Sequence, residues 1–110
     1  VEFGQRPAFW ASALKGPAGW PETAEVIRVP ARPIGKLLAK LAPTAICCDI
    51  EGGELEVLVQ PLPGVRLVVV EMHPQVYGAA GADRIAAALR AQGFLPEPKG
   101  AKADTLVFRR

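Results

Sequence analysis

Two short segments hold most of the side chains in this 110-residue chain that could do chemistry. One is Asp49-Ile50-Glu51-Gly52-Gly53-Glu54; the other is Glu71-Met72-His73-Pro74. Each follows an apolar run that reads as a buried strand. In an open α/β sheet, ligands bind beyond the carboxyl ends of the strands. If the two strands pair in parallel, Asp49, Glu51, Glu71 and His73 converge on one crevice. Carboxylates beside an imidazole can hold a hydroxyl or an amine, or take its proton. A lesser reading makes Asp49, Glu51 and His73 ligands of a hard or borderline divalent cation, whereas the favoured one assigns no metal.

Blander roles stand beside these. Asp49 or Glu51 can simply cap the helix that follows, and Glu54 in its first turn favours the helix dipole. A single His after a strand is usually structural or solvated. Gly52-Gly53 permits a tight turn and close approach. The chain contains neither G-x-G-x-x-G nor G-x-x-x-x-G-K, so the pair is not a phosphate fingerprint, and there is no G-x-S-x-G nucleophile elbow.

The elements that must position these groups follow from hydrophobic spacing. Val26, Ile27 and Val29 read as a strand stopped by Pro30. Ile34, Leu37, Leu38 and Leu41 give one apolar face to a helix over Pro33–Leu41, closed by Pro43. Ala45 to Ile50 is apolar on both faces, as expected of a strand covered by helices on both sides. A short helix over Glu54–Gln60 ends at Pro61 and Pro63. Val65 to Met72 is the strongest strand. A Gly-rich loop with Tyr77 precedes a helix from Asp83 to Gln92, which Gly93 terminates. Phe94–Glu97 and Thr105–Phe108 read as a terminal hairpin. The alternation predicts an α/β fold with a mostly parallel sheet and an antiparallel C-terminal hairpin.

Residues 1–24 read as an irregular arm rich in aromatics, Pro and Gly, with a short helical turn over Ala8 to Leu14. Trp10 and Trp20 are expected to bury against the sheet rather than stack on a substrate. Residues 25–110 read as one domain. Thirteen basic and 11 acidic residues are mixed along the chain, giving a net charge of +2. Without a basic stripe, nucleic acid is not an expected partner. No apolar run approaches the roughly 18–20 residues of a membrane span. The adjacent Cys47 and Cys48 suit neither an ordinary disulfide nor a zinc site, and point to a reducing, cytoplasmic setting.

The segment Cys48-Asp49-Ile50-Glu51-Gly52-Gly53-Glu54-Leu55-Glu56-Val57-Leu58 resembles the FkbM family of S-adenosylmethionine-dependent methyltransferases. Val69-Val70-Glu71-Met72-His73-Pro74 and the later Gly93-Phe94 fit the same pattern, over roughly Glu25 to Arg110. The resemblance implies the C-terminal part of a Rossmann-like methyltransferase, a half-sheet whose first strands lie upstream of Val1. It implies S-adenosylmethionine as cofactor, with a small-molecule or glycan-like acceptor methylated on oxygen or another heteroatom. Asp49 and Glu51 would face the transfer region, with Asp49 also touching cofactor, and Glu71 and His73 would flank the acceptor. The Gly-rich cofactor loop and the acidic residue for the ribose have no counterpart in Val1 to Arg110. The alternative is a non-catalytic α/β interaction module that docks a partner or a second copy through its sheet edge.

Overall fold

The computed structural model describes residues 1–7, 12–15, 19–20 and 22–110. Its elements run β1 (Glu2–Gln5), β2 (Glu25–Arg28), α1 (Ile34–Leu41), β3 (Ala45–Cys48), α2 (Glu54–Leu58), β4 (Leu67–Glu71), α3 (Pro74–Ala91), β5 (Leu95–Pro96) and β6 (Thr105–Arg109). The β-branched run of β4 takes the interior of a four-stranded sheet of order β3-β4-β6-β5. β3 lies parallel to β4, with Ala45 opposite Leu67 and Cys48 opposite Val70. β6 pairs antiparallel with β4 on its other side and with β5 beyond.

This arrangement corrects the expected sheet. One of its three strand pairs is parallel and two are antiparallel, in place of a mostly parallel Rossmann-like half-sheet. The expected C-terminal hairpin is present and forms one antiparallel edge of the sheet, with β6 against β4 and β5 outermost. β2 is not in this sheet at all. It pairs antiparallel with β1, which lies in the stretch read as irregular, and the two form a separate sheet. The physical reason lies in β2 itself, which buries none of its residues fully. A strand inside a parallel sheet needs a longer continuous apolar run.

The second correction concerns the layers. Leu38 of α1, Leu58 of α2 and Ile85 and Leu89 of α3 share one core with Cys48, Val68, Val70, Phe94 and Phe108. Side chains alternate across a strand, so Ala45, Cys47, Leu67, Val69, Val107 and Arg109 occupy the opposite sheet face. All of these are exposed or half-buried. Among the described residues, helices therefore cover one face, not two.

Helix α1 matches its apolar spacing and ends in a left-handed Ala42, whose N–H donates to Leu38 O at 2.8 Å. Helix α3 starts nine residues before the expected Asp83. Pro74 occupies its first turn, and Gly78 (φ 73°, ψ 169°) kinks it. The turn before the kink is too short to show a helical period. The expected helical turn at Ala8 to Leu14 falls largely on residues 8–11, outside the described ones, as do Phe9 and Trp10. Ala13 pairs with Gly4, and Trp20 packs on Gly4 of the small sheet, where a Cβ would lie 2.4 Å from its Cδ1. Among the described residues, no helix is long and apolar enough to cross a membrane.

Arg110 closes the far end of the core. Its Nε donates to Val65 O at 2.7 Å, Nη1 to Gln92 O and Nη2 to Leu62 O, each at 2.8 Å. The guanidinium also lies over Phe94, 4.6 Å from the ring centroid. Replacing Arg110 by Met is expected to remove about 2 kcal/mol of stability, seen as a lower urea midpoint at unchanged slope. Arg110→Lys is expected to recover little of it, because an ammonium lacks the planar fork that reaches three diverging carbonyls.

Candidate functional site

Parallel pairing of β3 and β4 sets their carboxyl ends side by side, with Cys48 opposite Val70. Each chain then leaves the sheet by a different route. After β3, residues 49–53 form a turn in which Glu51 (φ 51°) and Gly52 (φ 106°) are both left-handed. Gly52 is required twice over, by its φ and because a Cβ there would lie 2.5 Å from Val76 Cγ1 on α3. After β4, Met72 and His73 are both buried, and His73 stands immediately before α3.

Glu54 holds the turn. Its side chain is fully buried, and its carboxylate accepts Ile50 N–H at 3.0 Å and Gly52 N–H at 3.1–3.2 Å. The third neighbour is the His73 ring, whose Nδ1 lies 3.2 Å from Glu54 Oε1. That contact is out of line with the ring N–H, so Nδ1 is buried without a well-formed hydrogen bond. The other ring nitrogen, Nε2, faces Glu51 Oε2 at 3.5 Å and Asp49 Oδ1 at 3.9 Å. Asp49 and Glu51 project outward, with side chains 56% and 38% exposed. Among the described residues, no Lys or Arg pairs with any of the three carboxylates.

The structure thus brings together Asp49, Glu51 and His73, three of the four residues expected at the crevice. Glu71 does not join them. It alternates onto the open sheet face opposite Thr105 and is exposed. Glu54, read from sequence as favouring a helix dipole, instead anchors the cluster. The signal for it was the glycine pair, which lets a chain fold back so that Glu54 reaches the N–H groups of residues two and four before it. Tyr77, expected in a Gly-rich loop, lies in the first turns of α3, where its hydroxyl accepts His73 N–H at 2.6 Å and donates to Met72 Sδ at 3.7 Å.

Burial, with Glu54 and Cys48 nearby, pushes the Tyr77 hydroxyl above its ordinary value, against the lowering effect of the His73 N–H. Burial first, then the charges of Glu54, Asp49 and Cys47, push the Cys48 thiol up to about 11. A separate open groove of about 900 Å³ is lined by Arg32, Ile34, Leu55, Glu56, Val59 and Arg84. It does not include any of the clustered carboxylates or His73, so the concavity and the titratable cluster are distinct places.

No family model matches the chain, and neither a curated protein nor a solved structure matches it. Together with the mixed sheet, this overturns the FkbM resemblance and the methyltransferase activity read from it. An eleven-residue acidic turn between a strand and a helix is a local solution that unrelated chains can reach. S-adenosylmethionine and its methyl acceptor were implied by that resemblance alone.

The thiols supply a direct check on the geometry. Cys47 is exposed and Cys48 buried, so a thiol reagent is expected to modify Cys47 in the native protein and Cys48 only after unfolding. An unfolded Cys48 ionises near its ordinary 9.0, whereas the folded thiol keeps its proton to about 11. The folded state then binds the extra proton, so stability falls as pH rises through that window. Tyr77 acts in the same sense. Urea midpoints are expected to be level just below the window and to drop within it, less steeply in Cys48→Ala.

Proposed function

We propose that this domain is an interaction module that pairs with a second copy of itself through the outer edge of β3. The observation that carries the reading is the character of that edge. β3 is the end strand of the sheet, and among the described residues nothing pairs with its outer side. Ala45-Ile46-Cys47-Cys48 contains no charge, proline or glycine, the usual devices that keep an edge from pairing. The sheet face beside it carries Ala45, Cys47, Leu67 and Val69, without a covering helix layer among the described residues. Leu41 and Ile50, large apolar residues flanking the strand in sequence, are also exposed.

Charge at the two ends of the strand favours a copy of the same chain. The amino end is flanked by exposed Lys40 and Arg66, with Arg66 N–H bonded to Thr44 O at 2.7 Å. The carboxyl end carries Asp49, Glu51 and Glu71. Antiparallel pairing of β3 with its own copy about a twofold axis brings each acidic end against a basic one. Such an interface is isologous and closes at the dimer, giving a continuous eight-stranded sheet without an open edge at its centre. A cytoplasmic, reducing setting suits an exposed Cys47 beside that axis.

Sedimentation of the wild-type chain is expected to show a dimer at micromolar concentration that weakens as salt screens the end charges. Cys47→Lys places a charge on the edge at an already exposed position and is expected to give a folded monomer. Arg66→Glu is expected to weaken the dimer without dissolving the fold. A wild-type chain that sediments as a monomer throughout, or a dimer indifferent to Cys47→Lys, overturns the reading.

A further inference from the structure

We infer that Asp49, Glu51 and His73 form a binding site for a borderline-hard divalent cation of the first transition row, with Glu54 orienting the imidazole from behind. One donor atom from each of Asp49, Glu51 and His73 lies within 4.8 Å of the others. Donors around a cation with bonds of about 2.1 Å are separated by roughly 3.0–3.4 Å, depending on geometry. The two distances from His73 Nε2, 3.5 and 3.9 Å, exceed that by a few tenths of an ångström. Binding requires rotation of the exposed Asp49 and Glu51 side chains to close this gap and the wider spacing, up to 4.8 Å, within the donor set.

Nearness of acidic groups alone would carry little, since exposed carboxylates often cluster. The independent observation is His73. Its side chain is 95% buried, Nδ1 lacks a hydrogen-bond partner among the described residues, and Nε2, which donates no hydrogen bond to a described residue, faces Glu51 Oε2 at 3.5 Å and Asp49 Oδ1 at 3.9 Å. A buried imidazole without hydrogen bonds is costly, and the cost is relieved when its lone pair meets a cation. Glu54 supplies the other half. A metal-bound histidine usually gives its remaining N–H to a carboxylate, which fixes the tautomer and the ring plane. Glu54 Oε1 lies 3.2 Å from Nδ1, within reach of that role once a small ring rotation brings the N–H into line. It is itself held by Ile50 and Gly52 N–H and so cannot swing away.

Charge agrees with this. Three carboxylates surround one imidazole with no Lys or Arg paired to them among the described residues. A dication bound to Asp49 and Glu51 cancels both charges. One imidazole with two carboxylates suits manganese, iron, cobalt or zinc as divalent ions better than calcium, which takes oxygen donors only. The three ligands come from one side, and Asp49 and Glu51 face solvent. The remaining coordination positions are therefore open to water or to an oxygen-bearing ligand.

The test is titration of the chain with Co²⁺, followed by its visible d–d absorption and by the ring resonances of His73. Saturable binding of one ion per chain, with the His73 ring signals shifting in step, is expected. Asp49→Asn, at an exposed position, should keep the fold and weaken binding about tenfold or more; Glu54→Gln should weaken it by roughly 10–100-fold through the ring. His73→Gln should remove specific binding. If that variant or Glu54→Gln does not fold, Asp49→Asn and the wild-type ring resonances decide. Absence of saturable Co²⁺ binding, binding that leaves the His73 ring unperturbed, or equal affinity in folded Asp49→Asn overturns the inference.

Discussion

A fully buried carboxylate is the constraint on which the carboxyl end of this sheet depends. Glu54 has two backbone N–H groups and one imidazole for company. Removing an ion from water costs several kcal/mol even after relaxation, and charge-assisted hydrogen bonds return only part of that. The turn from Asp49 to Gly53 is therefore shaped to deliver N–H groups to Glu54. It tolerates a left-handed Glu51 to do so, and it presses Gly52 against Val76. The same carboxylate sits against His73 from below, so the conformations of two strand exits are set by one side chain.

The joint also links the parallel pair to the helix layer. Tyr77, one turn into α3, receives the His73 N–H, and Gly81 packs against the Tyr77 ring where a Cβ would collide with it. The kink at Gly78 lies between these two contacts. Helix α3 thus begins by serving the strand end and, past the kink, turns Ile85 and Leu89 to the core. At the other end of the molecule, Gln92 and Arg110 hold the loop after α2 through Gln60, Leu62 and Val65. Both ends of the sheet are closed by polar side chains that saturate backbone groups, and the apolar core lies between them.

What remains unclosed is lateral. Among the described residues, one sheet face has a helix layer and the other does not, and β3 ends the sheet with an uncharged, four-residue strand. Basic groups at one end of that strand and acidic groups at the other give it a direction, which a twofold copy matches. The cation site and the edge share Asp49 and Glu51: these carboxylates hold the ion in one case and supply part of the acidic strand end in the other, so a bound cation would weaken the end-to-end charge pairing. Glu71, outside the histidine cluster, contributes only to the second.

Much of the framework was legible in the residues. Apolar spacing marked α1 to within a residue, the Leu67–Val70 run marked the sheet interior, and the two acidic exits marked the place where Asp49, Glu51 and His73 meet. Those are local properties, fixed by propensity and periodicity. Strand partners are not local. β2 and β3 are both four-residue strands, yet one pairs with the N-terminal strand and the other with β4. The choice depends on how much surface each can bury and on what lies beside it. Glu54 and Glu71 show the same division at the site. Both are acidic residues close to a strand end, and only the glycine pair before Glu54 sets them apart in sequence. The direction of a turn and the parity of a strand put one beneath an imidazole and the other into water. The sequence by itself determined which groups stand at the sheet's carboxyl end; only the tertiary structure decided which of them face one another, because orientation is set by pairing and burial summed over the whole fold.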